Sequence, residues 1–172
     1  LHSAAFKDLY KYIEEGIAEK RFPGAVVLVA QQGEIIKWQA YGNAVFYDEE
    51  AQPLALPVLM AKNTVFDLAS LTKMFTTAAV LQLADRGKLD LDEPVATYLP
   101  EFGVNGKEEI TARHLLTHSS GLTAWDALYS GYSNPEGRNV ALMRSYPTSP
   151  LGQRREYSDL GFMVLGVLVE SV

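Results

Sequence analysis

The sequence predicts an α+β fold, an antiparallel sheet flanked by helices with a helical subdomain added, and three observations predict it. An amphipathic segment comes first, a strand–turn–strand pair follows, and from about residue 70 the periodicity turns helical and stays so. Only two strands are evident, and a lone hairpin is not a stable sheet. The sheet therefore needs partner strands that these 172 residues do not supply.

Each element has its own signal. Phe6, Leu9, Tyr10, Ile13 and Ile17 recur at steps of three and four, which predicts a helix over 3–20 with Ser3 as its cap; Arg21-Phe22-Pro23-Gly24 ends it. Residues 25–31 and 34–41 read as strands, and Gln32-Gly33 between them as a hairpin turn. Gly42, Pro53 and Pro57 with mixed charge make 42–63 an extended excursion, a candidate flap. Residues 71–86 read as a helix with Met74, Ala78 and Leu81 on one face and Gly87 at its C-terminus. Residues 89–100 read as a loop with two prolines. Thr111 is a cap for a short helix over 112–118, residues 119–138 are loop-like, and 140–145 is another short helix. Ser158 or Asp159 opens the last helix, which runs to about Glu170.

Composition narrows the function classes. At 48% hydrophobic and 21% charged the chain is ordinary for a globular protein, and its net charge of −6 argues against a nucleic-acid partner. The closest thing to a basic run, Arg154-Arg155, is offset by Glu156 and Asp159. No cysteine is present, so disulfides and thiolate metal sites are excluded; cysteine-free proteins occur on both sides of a membrane. The most apolar stretch, 160–169, is about half what a membrane-spanning helix needs. Leu1 in place of an initiator methionine and the apolar run up to Val172 point to a longer parent chain.

The chemistry begins at Ser70-Leu71-Thr72-Lys73. On a helix, residues three apart share a face, so the Ser70 hydroxyl and Lys73 amine can meet. Unpaired N–H groups and the partial positive charge of a helix start favour an alkoxide-like nucleophile. A desolvated lysine can lose several pKa units and act as its base, and the Ser70 N–H can supply half of an oxyanion hole. The tetrapeptide alone is weak: ten serines and eight lysines produce one by chance about half the time. An N-cap serine beside a solvated lysine is the plain alternative.

The surroundings carry more. Phe66-Asp67-Leu68-Ala69 leads into Ser70; Gly87-Lys88-Leu89-Asp90-Leu91-Asp92-Glu93-Pro94-Val95 leads to Tyr98-Leu99-Pro100. Then come Ile110-Thr111-Ala112-Arg113-His114-Leu115-Leu116-Thr117-His118-Ser119-Ser120-Gly121-Leu122 and Tyr157-Ser158-Asp159-Leu160-Gly161-Phe162. In these blocks and their order the sequence resembles the serine β-lactamase-like family: class C enzymes, low-molecular-weight penicillin-binding proteins and related esterases. The resemblance spans almost the whole chain. It implies a β-lactamase/transpeptidase-like fold, of which residues 1–172 are the N-terminal portion of one catalytic domain. Residues 1–66 would hold the helix and sheet hairpin, and 67–172 the helical part with both motifs.

The family's second motif is a tyrosine, any residue, then usually asparagine. Tyr132-Ser133-Asn134 matches the letters, but Pro135 follows it; Tyr157-Ser158-Asp159 has the family's flanking pattern and is favoured. The resemblance implies that Tyr157 shares proton relay with Lys73 and that Asp159 contacts substrate. Aspartate there is a departure: a carboxylate cannot donate as an amide can, and it favours protonated Lys73. Ser158-Asp159-Leu160 as a class A Ser-Asp-Asn motif fails at its third residue. The third motif, Lys-Thr-Gly or His-x-Gly on a strand, is absent, and the chain ends 15 residues past Tyr157. The resemblance places that motif beyond Val172 and implies that residues 1–172 by themselves are inactive.

Other candidates read as structural. His114 and His118 have metal-ligand spacing, yet lack the glutamate of zinc-protease chemistry. Asp90, Asp92 and Glu93 fall in a connecting loop of the family. No phosphate loop or Gly-x-Ser-x-Gly elbow occurs. The resemblance thus implies a serine hydrolase with an acyl-enzyme at Ser70 and with no metal or cofactor. Its substrate would be a β-lactam, a D-Ala-D-Ala peptide or an ester, and its location extracytoplasmic. A non-catalytic cell-wall peptide binder and a standalone interaction module are the competing readings.

Overall fold

The computed structural model describes residues 3–172, with side chains from Phe6 onward, so the Ser3 cap lies outside the described side chains. The chain divides into two compact units, 1–67 and 68–172. The first holds α1 (Ser3–Ala18) and three strands, β1 (Gly24–Gln31), β2 (Glu34–Tyr47) and β3 (Pro53–Leu59), in the order β1-β2-β3. Pairing is antiparallel throughout; β1 and β2 run from Gly24 opposite Gly42 to Gln31 opposite Glu34. The Gln32-Gly33 turn has both residues at positive φ, 52° and 84°, the turn geometry whose twist matches that of the strands it joins. Against the sheet α1 buries Ile13, and the Tyr10 and Tyr41 rings lie 6.0 Å apart.

The expected excursion over 42–63 is instead the second half of a long strand and its return. β2 continues to Tyr47, and the chain reverses where the Asp48 carboxylate accepts the N–H groups of Glu50 and Gln52. The prolines mislead because β3 is an edge strand: Pro53 starts it, and a missing N–H costs little on an outer edge. Register shifts on both sides of Val45 further blur the alternation by which a strand is recognised.

The second unit contains α2 (Thr72–Asp85), α3 (Val95–Tyr98), α4 (Ala112–Leu116), α5 (Leu128–Gly131), α6 (Pro135–Met143) and α7 (Asp159–Ser171). Its centre is α7. Leu160, Val164, Leu165 and Leu168 are all buried, and with Val80, Phe102, Ile110, Leu115 and Leu142 they form one apolar core. A helix apolar on nearly every side is stable only when surrounded, and α2, α3, α4 and α6 all pack on it. Beside this core lies Lys107, fully buried. Its amine donates to the Val104 and Ser145 carbonyls at 2.9 and 2.5 Å and sits 5.1 Å from the Phe102 ring centroid. Burial pushes this amine below its ordinary pKa.

Several expected boundaries move. The helix expected over 71–86 starts as a 3-10 turn (Ala69–Leu71) before α2. The face that carries Met74, Ala78 and Leu81 is not the buried one: Met74 and Leu81 are exposed, while Val80 on another face is buried. Apolar residues encircle α2, so spacing alone could not choose the face that meets α7. The expected loop 89–100 contains α3 and leads into a second 3-10 turn (Pro100–Phe102). The loop expected over 119–138 holds α5 and the start of α6. Asn134 caps α6, its side-chain oxygen accepting from Gly137 N at 2.8 Å, and Pro135 occupies the first turn, where its missing N–H is harmless.

Candidate active site

Ser70 is presented by the short turn that opens α2. Ala69 sits at φ +43°, a left-handed conformation that non-glycine residues rarely adopt, and it swings the chain into the helix. Ser70 is thereby exposed one turn before Lys73, and the Lys73 amine reaches its hydroxyl at 3.4 Å. Both line a cleft of about 370 Å³ together with Asp159, Phe162 and Met163.

Tyr157 and Asp159 arrive on the segment that enters α7, and its position is set by a loop far back in sequence. The stretch 118–122 pairs with 147–156: Glu156 N donates to His118 O, Gly152 N to Ser119 O and Thr148 N to Gly121 O, each at 2.8–2.9 Å. Gly121 has φ +79°, and a Cβ there would lie 2.1 Å from Ser149 O, so the close approach requires glycine. Ser158 is the N-cap of α7. Its hydroxyl accepts from Gly161 N and donates to Thr123 O, while its own N–H donates to His118 Nδ1 at 3.0 Å. The His118 ring also stacks against Tyr157 and Phe162, at 4.6 and 5.2 Å between centroids.

Three of the four site residues expected from the sequence, Ser70, Lys73 and Asp159, line this cleft, and the Tyr157 ring lies against the Lys73 amine. Lys73 Nζ lies 2.5 Å from Asp159 Oδ1 and 4.6 Å from the Tyr157 ring centroid. Burial works against charge on Lys73. The hydrogen bonds to Asp159 and Tyr157 and the attraction of the carboxylate outweigh it, so the amine is held above its ordinary pKa. Here the geometry departs from the expectation of a neutral lysine base, because a partner carboxylate sits on the amine. Tyr157 moves the other way. The Lys73 ammonium first, and then the Ser70 hydroxyl, hold its phenol below the usual range. The phenol is the group brought closer to neutrality.

The remaining candidates take structural places. Tyr132-Ser133-Asn134 is not at the cleft, since Asn134 is occupied as the α6 cap. His114 belongs to a capping box: its Nδ1 accepts from Thr111 N at 3.2 Å, and the Thr111 hydroxyl accepts from His114 N. The helix ends at Leu116 and His118 turns to φ +59°, so the expected helical spacing of the two histidines is broken. Asp92 accepts a two-pronged pair of hydrogen bonds from Arg113, Asp90 accepts from Asp92 N, and Glu93 accepts from Thr97. Arg154 pairs with Glu156. Among the described residues no group of three His, Cys, Asp or Glu is placed to hold a metal ion, and no helix is long and apolar enough to cross a membrane.

His118 is structural, as the sequence suggests, but its partner is distant in the chain: it is the acceptor that holds the Tyr157–Asp159 segment. Burial foremost, then the nearby Arg155 and Lys73, depress its pKa. The folded state therefore binds fewer protons than the unfolded chain below the ordinary histidine value of about 6.5. This contribution to stability is full above that value and is lost as pH falls toward the lower folded one. Thermal melts should show Tm falling as pH drops from about 7 to about 5, and His118→Gln should flatten that step. An unchanged slope in the variant would remove His118 from this role.

An α+β chain whose serine and lysine open one helix, facing a tyrosine that precedes another, has the frame of the β-lactamase/transpeptidase-like fold. A family model described as Beta-lactamase matches residues 9–172, and the chain belongs to that family. It is 38% identical over 174 residues to the N-acetylmuramyl-L-alanine amidase of Bacillus subtilis (strain 168), covering 93% of this chain and 39% of the amidase. Esterase EstB of Burkholderia gladioli is likewise 38% identical, over 177 residues, 91% of this chain and 43% of the esterase. The octameric penicillin-binding protein homologue from Pyrococcus abyssi matches with a TM-score of 0.76 at 26% identity, over 96% of this chain and 39% of that one. The chain thus spans about two fifths of the length of these relatives.

Proposed function

We propose that the chain carries the nucleophile, base and charge-stabilising groups of a serine hydrolase that forms an acyl-enzyme at Ser70. The observation that carries this reading is the Lys73 amine, 3.4 Å from the Ser70 hydroxyl at the cleft and 4.6 Å from the Tyr157 ring centroid. Tyr157, its phenolate stabilised by the Lys73 ammonium, takes the proton as Ser70 Oγ attacks the substrate carbonyl. The developing oxyanion is placed to receive the Ser70 N–H at the opening of the helix. Tyr157 then returns the proton to the leaving group, and the acyl-enzyme forms. Water, deprotonated by the same phenolate, attacks the acyl carbonyl, and the proton passes back to Ser70 as the acid departs. Asp159 holds Lys73 as the cation this relay needs.

The substrates that fit are acyl donors of the β-lactam, D-Ala-D-Ala peptide or ester type. An extracytoplasmic place is part of the same reading and is supported by the amidase relative, whose name refers to a muramyl substrate. Intact-protein mass spectrometry of the full-length protein, treated with an alkyl fluorophosphonate and separately with penicillin, tests it. One phosphonyl adduct that maps to Ser70 is expected, and a matching penicillin adduct would place the protein among penicillin recognisers. An active preparation with Ser70 unmodified by the phosphonate would overturn the reading.

A further inference from the structure

One residue holds the chain on both sides of Tyr157. We propose that His118 is the positioning residue for Tyr157 and gates its relay by protonation: only the neutral imidazole keeps the Tyr157 ring against the Lys73 amine. The inference rests on the serine-hydrolase reading and deepens it by naming a regulation of that same site.

The His118 carbonyl accepts from Glu156 N at 2.8 Å, and its Nδ1 accepts from Ser158 N at 3.0 Å. Between these two anchors the imidazole lies 4.6 Å from the Tyr157 ring, centroid to centroid, and 5.2 Å from the Phe162 ring. The chain reaches this arrangement through a left-handed turn at His118, φ +59°, just past α4. A backbone N–H can only donate, so Nδ1 is the unprotonated acceptor of the ring. A proton added there sets two donors head to head and strips the buried Ser158 N–H of its partner. His118 is itself only 8% exposed, so little solvent reaches it to take over. The start of α7 keeps its other ties: Ser158 Oγ holds Thr123 O and Gly161 N, and Asp159 N holds Ala124 O. The displacement therefore falls on Tyr157.

Charges face this ring from each neighbouring segment. Arg155 and Lys73 oppose a proton on it, whereas the Asp159 carboxylate favours one, as does Tyr157 whenever its phenol is ionised. Glu156 is paired with Arg154, and His114 is occupied with Thr111. Burial is the largest influence, and it leaves His118 below the ordinary histidine pKa. The gate is open at neutral pH and closes on acidification.

The test uses the full-length protein and the rate constant for phosphonylation of Ser70 by an alkyl fluorophosphonate. That reaction forms the Oγ–P bond, expels fluoride and passes the hydroxyl proton to Tyr157. The rate is followed from about pH 8 to about pH 4.5, with circular dichroism checking the fold at each point. Besides the titration of the relay itself, the wild-type profile should break downward below about pH 6.5. His118→Asn offers an acceptor near the Nδ1 position that takes no proton, and asparagine tolerates the left-handed backbone. Its profile should lack that break. Other titrating groups of the full-length protein act on both profiles alike, so the difference belongs to His118. His118→Phe keeps a ring without the acceptor; it should slow labelling at neutral pH by on the order of tenfold, most of which His118→Asn should recover. A His118→Asn profile that coincides with the wild type, or a folded His118→Phe that labels at the wild-type rate, overturns the proposal. Should His118→Phe not fold, the two profiles decide alone. Labelled Ser70 with coincident profiles sinks this inference only, whereas turnover without labelling sinks the serine-hydrolase reading and this inference with it.

Discussion

Ser70→Ala should reduce kcat/KM for any ester the full-length protein turns over by about a thousandfold or more, with the fold intact. The size follows from the role. Without the hydroxyl no acyl-enzyme can form, and what remains is binding and polarisation of the carbonyl, which leave only a small residual rate. Folding should be untouched because Ser70 is exposed on the turn before α2, and its hydroxyl meets the Lys73 amine at 3.4 Å at the open cleft. Removing the hydroxyl therefore leaves no buried donor or acceptor without a partner. Steady-state kinetics alongside far-ultraviolet circular dichroism checks both halves. Retained turnover in a folded variant would mean that the nucleophile is elsewhere, and the cleft would lose its proposed chemistry.

Phe102→Ala should destabilise the second unit by about 3–5 kcal/mol, measured as a lower midpoint in urea with little change in slope. Phe102 is fully buried in the core around α7. Two losses combine there. The first is the transfer energy and cavity that follow the deletion of a large buried ring. The second is specific to this site: the Lys107 amine, itself fully buried, lies 5.1 Å from the ring centroid and would lose that face while its two carbonyl partners remain. Phe102→Leu, which refills most of the volume, should cost far less. Equal losses for the two variants would show that ring volume is not what matters.

These two expectations draw on different layers of information. The Ser70–Lys73 pair was legible because its signal is local: Ser-x-x-Lys at a helix opening needs only helical spacing, and the flanking blocks separate it from a chance match. The Gln32-Gly33 turn, the Thr111 cap and the Ser158 cap were legible for the same reason, since each is satisfied by atoms within a few residues. Local signals also misled. Prolines at 53 and 57 spoke against a strand, yet the edge position of β3 tolerates them. Pro135 read as a loop residue, although after Asn134 it is a helix opener.

By itself the sequence determined the α+β class, the two motifs of the candidate site and most helix starts, because periodicity and capping are short-range. Tertiary structure decided what depends on partners distant in the chain. It chose which face of the apolar α2 meets α7, and it recruited His118 to hold the Tyr157–Asp159 segment. It also joined Lys73 to Asp159, 86 residues away, and so made the lysine a held cation and lowered the pKa of the Tyr157 phenol beside it. Protonation follows from solvation and neighbouring charge in space, and residue spacing along a chain carries neither.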